Sequence, residues 1–141
     1  MNWFSWLKRP PDFVIGRDYL RRWYLISRNR WFCIYLHNIQ RSDDDRALHD
    51  HPWWNVSIIL KGEYWEETSN GLSYWPRWSV IFRRAITRHR LIVMDNSDVW
   101  TLFIRGRKIR TWGFWCPKGF VPWYDFVDMS NTGEIGPGCG D

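Results

Sequence analysis

The feature that most constrains this chain is its punctuation. Short runs rich in aromatic and branched residues are cut, every few positions, by residues that favour turns. Tyr19–Ile26, Trp31–His37, Asn55–Lys61, Glu63–Thr68, Trp78–Arg83, Arg90–Met94, Val99–Arg105 and Arg110–Trp115 all read as strands. Between them stand Arg28-Asn29-Arg30, Gly62, Ser69-Asn70-Gly71, Asp95-Asn96-Ser97-Asp98 and Gly106-Arg107-Lys108. The Asn70-Gly71 pair suits a tight hairpin. In Trp31–His37 the residues Phe32, Ile34 and Leu36 share one face, and Trp31, Cys33, Tyr35 and His37 share the other. No convincing helix interrupts the series, so the chain is all-β, a sandwich or a barrel.

At 141 residues the chain fits one domain, expected over 1–129, and at this length a proper core forms without staples. Residues 1–17 read as irregular, with a break at Pro10-Pro11 and a turn at Gly16. Asn38–Arg46 reads as an exposed polar loop around Asp43-Asp44-Asp45, which lacks the spacing of a calcium loop. Residues 130–141 hold four Gly and few apolar residues and are expected to be disordered. Cys33, Cys116 and Cys139 are odd in number and widely spaced, which argues against a disulfide framework and against a thiolate metal cluster. The opening residues lack the pattern of a signal peptide, and no apolar run reaches the ~20 residues of a membrane span. The expectation is a soluble, cytoplasmic protein.

The composition is heavy in rings, with 13 Trp, 8 Phe and 6 Tyr, and 16 of its 20 basic residues are Arg. The net charge of +5 is modest and the Arg residues are scattered, so nucleic-acid binding ranks last among the functions weighed. Arg lying over Trp faces accounts for most of them.

Two of the four histidines form His49-Asp50-His51. On extended backbone, positions i and i+2 face the same way, and Pro52 favours extension at His51. The two imidazoles then sit side by side, as metal binding requires, with Asp50 on the opposite face. A solvated or hydrogen-bonded pair satisfies the same spacing. The same parity puts Trp53, Asn55 and Ser57 on the histidine face, while Tyr35 and His37 reach the same space from a neighbouring strand. For His37 the competing reading is a core histidine bonded to backbone, and for Trp53 it is packing. Of the arginines flanking His89, Arg84 is the candidate for an inward anion contact, because Arg88 and Arg90 alternate away from His89. Glu63, Glu66 and Glu67 read by default as a solvated strand edge.

From His49 to Gly62 the chain resembles the first cupin motif, which is Gly, five residues, His-x-His, three or four residues, Glu, six residues, Gly. His49, His51 and Gly62 fall in register, Asn55 stands at the Glu position, and the opening Gly is missing. Aligned on His89, the second motif matches at the His alone. Trp78, Arg84, Ile86 and Val93 occupy its Gly, Pro, Gly and Asn positions. The resemblance spans about Trp31–Trp115. Stretches such as "HDHPW", "LKGEYWEE" and "TWGFWCPKGFVPW" look like those of small uncharacterised cupins of bacteria and their phages.

What the resemblance implies is a cupin-type double-stranded β-helix, or jelly-roll barrel, holding one divalent metal ion on His49, His51 and His89. Iron is favoured, with zinc, nickel and manganese as alternatives. A three-His set without a carboxylate is similar to the iron site of thiol dioxygenases in the same superfamily, which implies an oxygenase-like enzyme of small molecules. The alternative is a non-catalytic cupin that sequesters a small anionic ligand such as a nucleotide or sugar. Cupins also pair through edge strands or packed sheets, which implies a homodimer, with the Trp-rich N-terminal segment as the expected contact.

Overall fold

The computed structural model describes residues 8–15, 19–26, 29–42 and 47–140. Among these, two six-stranded sheets carry the fold. Strands are numbered in chain order. The first sheet runs, in spatial order, β1 (Phe13–Ile15), β2 (Leu20–Ile26), β3 (Cys33–Ile39), β10 (Val99–Arg105), β5 (Asn55–Lys61) and β8 (Val80–Arg83). The second runs β12 (Gly119–Pro122), β11 (Gly113–Cys116), β4 (Leu48–His49), β9 (His89–Ile92), β6 (Tyr64–Thr68) and β7 (Gly71–Trp75). A single helical turn, α1 (Trp123–Phe126), leads to a small pair formed by β13 (Val127–Asp128) and β14 (Asn131–Ile135). All strand pairings described are antiparallel.

Alternation builds the core. In β5 and β10, which are neighbours in the first sheet and match the boundaries read from the sequence, every second residue is buried. Ile59 and Val99 are fully buried and pack with Leu20, Ile39, Tyr64, Ile81 and Val93. A second cluster joins Phe114, Phe126 and Val127. The outward face of the first sheet is apolar as well: Trp23, Leu36, Leu102, Ile58 and Val80 are successive cross-strand partners. The face that turns inward on β3 is therefore not the more apolar one. It is the one carrying Cys33, Tyr35 and His37.

Two backbone positions explain motif residues. Gly62 turns the chain from β5 into β6 at φ +77°, and a Cβ there would crowd Val99. The closing Gly of the first motif is thus required by backbone geometry. Trp78 stands where the second motif has Gly, and it adopts the left-handed φ of 73° that a glycine would supply at no cost.

Several expectations are corrected. Within the N-terminal segment read as irregular, Phe13–Ile15 forms a strand paired with Leu20–Arg22; residues 1–7 and 16–18 lie outside the described residues, as do Asp43–Arg46. Asn38 and Ile39 belong to β3 rather than to a loop, and Asn38 is buried because its amide reaches Asp98 Oδ1 at 2.6 Å. Gly71–Trp75, not anticipated as a strand, pairs with β6 across the loop Ser69-Asn70.

The C-terminal segment read as a disordered tail is folded. Ile135 pairs with Val127, Gly136 N donates to Phe126 O, and Cys139 is disulfide-bonded to Cys116 on β11. The odd cysteine count concealed this, because the buried Cys33 stands outside the disulfide that the other two form. Among the described residues, no helix is long and apolar enough to cross a membrane.

Candidate metal centre

The site begins with one of the shortest strands. β4 lies between β11 and β9, so His49 has Phe114 as its partner on one side and His89 on the other. Direct cross-strand partners hold their side chains close on the same face, which brings residues forty positions apart in sequence together. His51, two residues on, extends the same face.

Asp50 faces away and locks the backbone between the two rings. It is fully buried. Its oxygens accept from Gly113 N and Trp115 Nε1, each at 2.9 Å, and pair with Arg110 at 2.8 Å. Backbone bonds from Asp50 N to Gly113 O and from His51 N to Ala85 O pin the segment on both sides. Asp50 is thus an anchor, as the strand parity requires, and not a donor to the site.

The three rings converge. Their centroids lie 5.2 Å (His49–His51), 4.8 Å (His49–His89) and 4.9 Å (His51–His89) apart. A donor atom from each lies within 4.8 Å of the others. The ring nitrogens also test the fit. His51 Nδ1 and both nitrogens of His89 are buried without a hydrogen-bond partner. A buried polar atom left unsatisfied costs stability, and a metal ion would satisfy one nitrogen of each ring. Burial holds His51 and His89 well below the ordinary histidine pKa, and the Arg83 charge and the neighbouring imidazoles push the same way. Both are therefore neutral, the form that ligates metal. The three histidines are positioned to hold a metal ion.

Behind them lies a network that the sequence did not reveal. Arg83 is buried, with Nε donating to Glu66 Oε1 at 2.5 Å and Nη1 donating to Ser57 Oγ at 3.0 Å. It also donates to Asn55 Oδ1 at 3.3 Å and to the Tyr64 hydroxyl at 3.1 Å. Glu66 Oε2 accepts from Trp75 Nε1 at 2.9 Å. Glu66 Oε1 is also 2.7 Å from His89 Nδ1, close but outside hydrogen-bond alignment.

The inward arginine is thus Arg83, and Arg84 is exposed, contrary to the sequence reading. The reason is parity. Ile81 and Arg83 face in while Val80 and Phe82 face out, and Arg84 follows the end of the strand. Alternation from Ile81 was the signal available. The same holds for Glu66, which shares the inward face of β6 with Tyr64, while Glu67 points out to Arg90. Glu63 is exposed, as a solvated edge residue should be. Arg88 lies outward, 3.4 Å over the Trp115 ring.

The histidine face opens into a cavity of about 460 Å3 between the sheets. Trp53 lines it and stacks on His51, with centroids 5.2 Å apart. His37 lines it from the opposite sheet. Its Nε2 accepts from Arg22 Nε at 2.9 Å, and burial, aided by the Arg22 charge, lowers its pKa well below the usual value. Tyr35 does not line the cavity. It packs behind the wall, stacked on His37 and Phe103, with its hydroxyl accepting from Arg105. Asn55 is likewise absent from the wall; it is fully buried against Arg83, and its Nδ2 is unsatisfied. Thr132, Gly133 and Glu134 of the C-terminal hairpin close one side.

No family model matches the sequence, and no curated protein does. Solved structures do match. A DMSP lyase from Ruegeria pomeroyi is similar with a TM-score of 0.55 at 16% identity, over 67% of this chain and 50% of that one. The chain therefore spans only half the length of that protein. A putative mannose-6-phosphate isomerase from Ralstonia eutropha is similar with a TM-score of 0.57 at 15% identity, over 68% of this chain and 92% of that one. A cupin-2 domain from Rhodospirillum rubrum is similar with a TM-score of 0.57 at 12% identity, over 71% and 68%. The resemblance read from His49, His51 and Gly62 thus agrees with the three-dimensional likeness: the fold of this chain is the cupin double-stranded β-helix.

Proposed function

We propose that this protein is a mononuclear metal-binding cupin acting on a small molecule, with His49, His51 and His89 as its ligands. Iron is the favoured ion, ahead of zinc, nickel and manganese, and an oxygenase-like reaction is the favoured chemistry. The observation that carries the reading is the convergence of three imidazoles, with His51 Nδ1 and His89 Nε2 buried and without a hydrogen-bond partner in the protein. That structures of like fold include a DMSP lyase supports a small-molecule ligand.

A bound ion on three neutral ligands would supply open positions for a substrate and O2, or for an activated water. The chain's own residues prepare that place. Glu66 holds the Nδ1 side of His89, and Asp50 fixes the backbone between His49 and His51. Trp53 covers His51, and Phe103 packs edge-on against Trp53, which limits water at the rings. From the opposite sheet His37 accepts a hydrogen bond at Nε2, which puts its own proton on Nδ1.

The alternative, a non-catalytic cupin that holds a small anionic ligand, is favoured by one observation. Among the described residues, the one carboxylate lining the cavity is Glu134, and it is paired with Arg41 at 3.4 Å. An uncommitted carboxylate base is therefore not at hand.

Elemental analysis of protein purified without a metal-affinity tag, beside His49→Ala and His89→Ala, tests the reading. About one equivalent of iron, lost in both variants, is expected. Stoichiometric zinc, nickel or manganese keeps the site and weakens the oxygenase reading. Folded, never-chelated protein without metal transfers the histidines to a ligand pocket and the function to sequestration.

A further inference from the structure

Charge around the three histidines is arranged unlike that of a site with a carboxylate ligand. The motif's carboxylate position is Asn55, which is buried outside the cavity wall with its oxygen taken by Arg83. Two carboxylates do lie near the rings, and both are committed. Asp50 is held by Arg110, Gly113 N and Trp115, and Glu66 by Arg83 and Trp75. Neither belongs to the group whose donor atoms converge. Arg83 and Glu66 cancel one another. A divalent ion on three neutral imidazoles therefore keeps its full charge inside a low-dielectric cavity, where uncompensated charge is costly. A metal-bound hydroxide or an anion brought by the ligand would supply the compensation, and a chelating anion would displace the hydroxide. Three protein ligands also leave a transition-metal ion room for a ligand that binds through two atoms.

The rest of the cavity selects the body that carries the anion. Its walls near the histidines are Trp53, Leu91, Phe103, Trp112 and Phe114. The polar groups on the wall are mostly engaged with one another: Ser57 and Tyr64 with Arg83, His37 with Arg22, Glu134 with Arg41. A sugar or nucleotide needs several hydroxyl or phosphate partners, and few are uncommitted. An apolar ring needs none, and gains from burial. The cavity volume of about 460 Å3 is of the size that encloses a small organic molecule.

We propose that the ligand of this cavity is a chelating carboxylate, such as a 2-hydroxy acid, carried on an apolar body of about one ring, rather than a phosphorylated sugar or nucleotide. This rests on the metal reading above. It narrows the small anionic ligand expected from the sequence, because it places the anion at the metal position and not at Arg84.

The test uses the full chain loaded with Co2+, whose visible absorption reports a change of ligand, with calorimetry for affinity. Mandelate and glycolate share one chelating head and differ by a ring; glucose 6-phosphate and AMP are the phosphate-bearing probes. Mandelate is expected to shift the cobalt band and to bind at least tenfold more tightly than glycolate, with the metal-free protein binding neither. If cobalt binds but mandelate gains nothing over glycolate, or if glucose 6-phosphate or AMP binds more tightly, the proposal is overturned while the metal site stands. Mandelate binding with the cobalt band unmoved overturns the chelating role. If the protein takes up no cobalt, the metal reading fails and this proposal falls with it.

Discussion

Glu66 Oε1 lies 2.7 Å from Nδ1 of His89, and the same oxygen accepts from Arg83 Nε at 2.5 Å. One carboxylate thus neutralises the buried guanidinium and braces a candidate ligand ring.

Carboxylates beside metal-binding histidines fix the ring's orientation, and removing one typically weakens metal binding tenfold to a hundredfold. Glu66→Gln is expected to raise the metal dissociation constant by roughly that factor. It should also destabilise the protein by about 3–5 kcal/mol, because Arg83 is left buried without its counter-charge. The double variant Glu66→Gln with Arg83→Met removes the second effect and keeps the first. Chelator competition reads the affinity and urea denaturation reads the stability. Metal affinity equal to the parent in both variants would show that Glu66 serves Arg83 alone.

Acid should unfold the metal-free protein early. His37, His51 and His89 are held well below their ordinary value of 6.5, mainly by burial. As pH falls through 6.5 the unfolded chain takes up these protons and the folded protein does not. The neutral-His contribution is complete above that pH and is lost progressively below it. Each histidine gives a slope of up to about 1.4 kcal/mol per pH unit, so the three together give about 4. Denaturation midpoints at pH 7, 6 and 5 measure this. A flat profile would mean that the rings are protonated in the folded state.

The Cys116–Cys139 bond closes a segment of 23 residues that contains the hairpin lining the cavity. Loop entropy assigns such a crosslink about 3 kcal/mol. Cys139→Ser, or reduction with dithiothreitol, is expected to lower Tm by about 10 °C and to expose residues 127–140 to limited proteolysis. Metal stoichiometry should be unchanged, because the three histidines lie outside this segment. Unaltered Tm and proteolysis under reduction would show that the hydrogen bonds from Gly136 and Gly138 to Phe126 O hold the hairpin without the bond.

Trp78 occupies left-handed backbone at φ 73° while 63% exposed. That conformation costs an L-residue roughly 1–2 kcal/mol. Trp78→Gly removes the strain, loses little burial, and adds some unfolded-state entropy. It should match the parent to within about 1 kcal/mol, whereas a core Trp deletion costs about 3–5 kcal/mol. Trp78→Val should fall below both, since a branched residue tolerates this backbone least. Thermal melts of the two variants give the order, and Val equal to Gly would remove the strain argument.

The sequence by itself determined what is local. Alternation and turn residues set β5 and β10 to the residue, and the i, i+2 rule put His49 and His51 on one face with Asp50 behind. Motif register also brought in His89 and Gly62. Only the tertiary structure decided what depends on which face turns in and which strands meet. Because Leu36, Leu102, Ile58 and Val80 make the outward face apolar too, hydrophobicity alone does not orient the first sheet. The placement of Arg83 instead of Arg84 turns on one residue of parity, and a one-residue slip reverses every side chain in a strand. Glu66 reads as a surface residue until β6 is paired with β9, because a carboxylate is stable in the interior only beside its cation. The pairing of Cys116 with Cys139 required the chain to return from β14 to β11, a long-range closure that no cysteine spacing specifies.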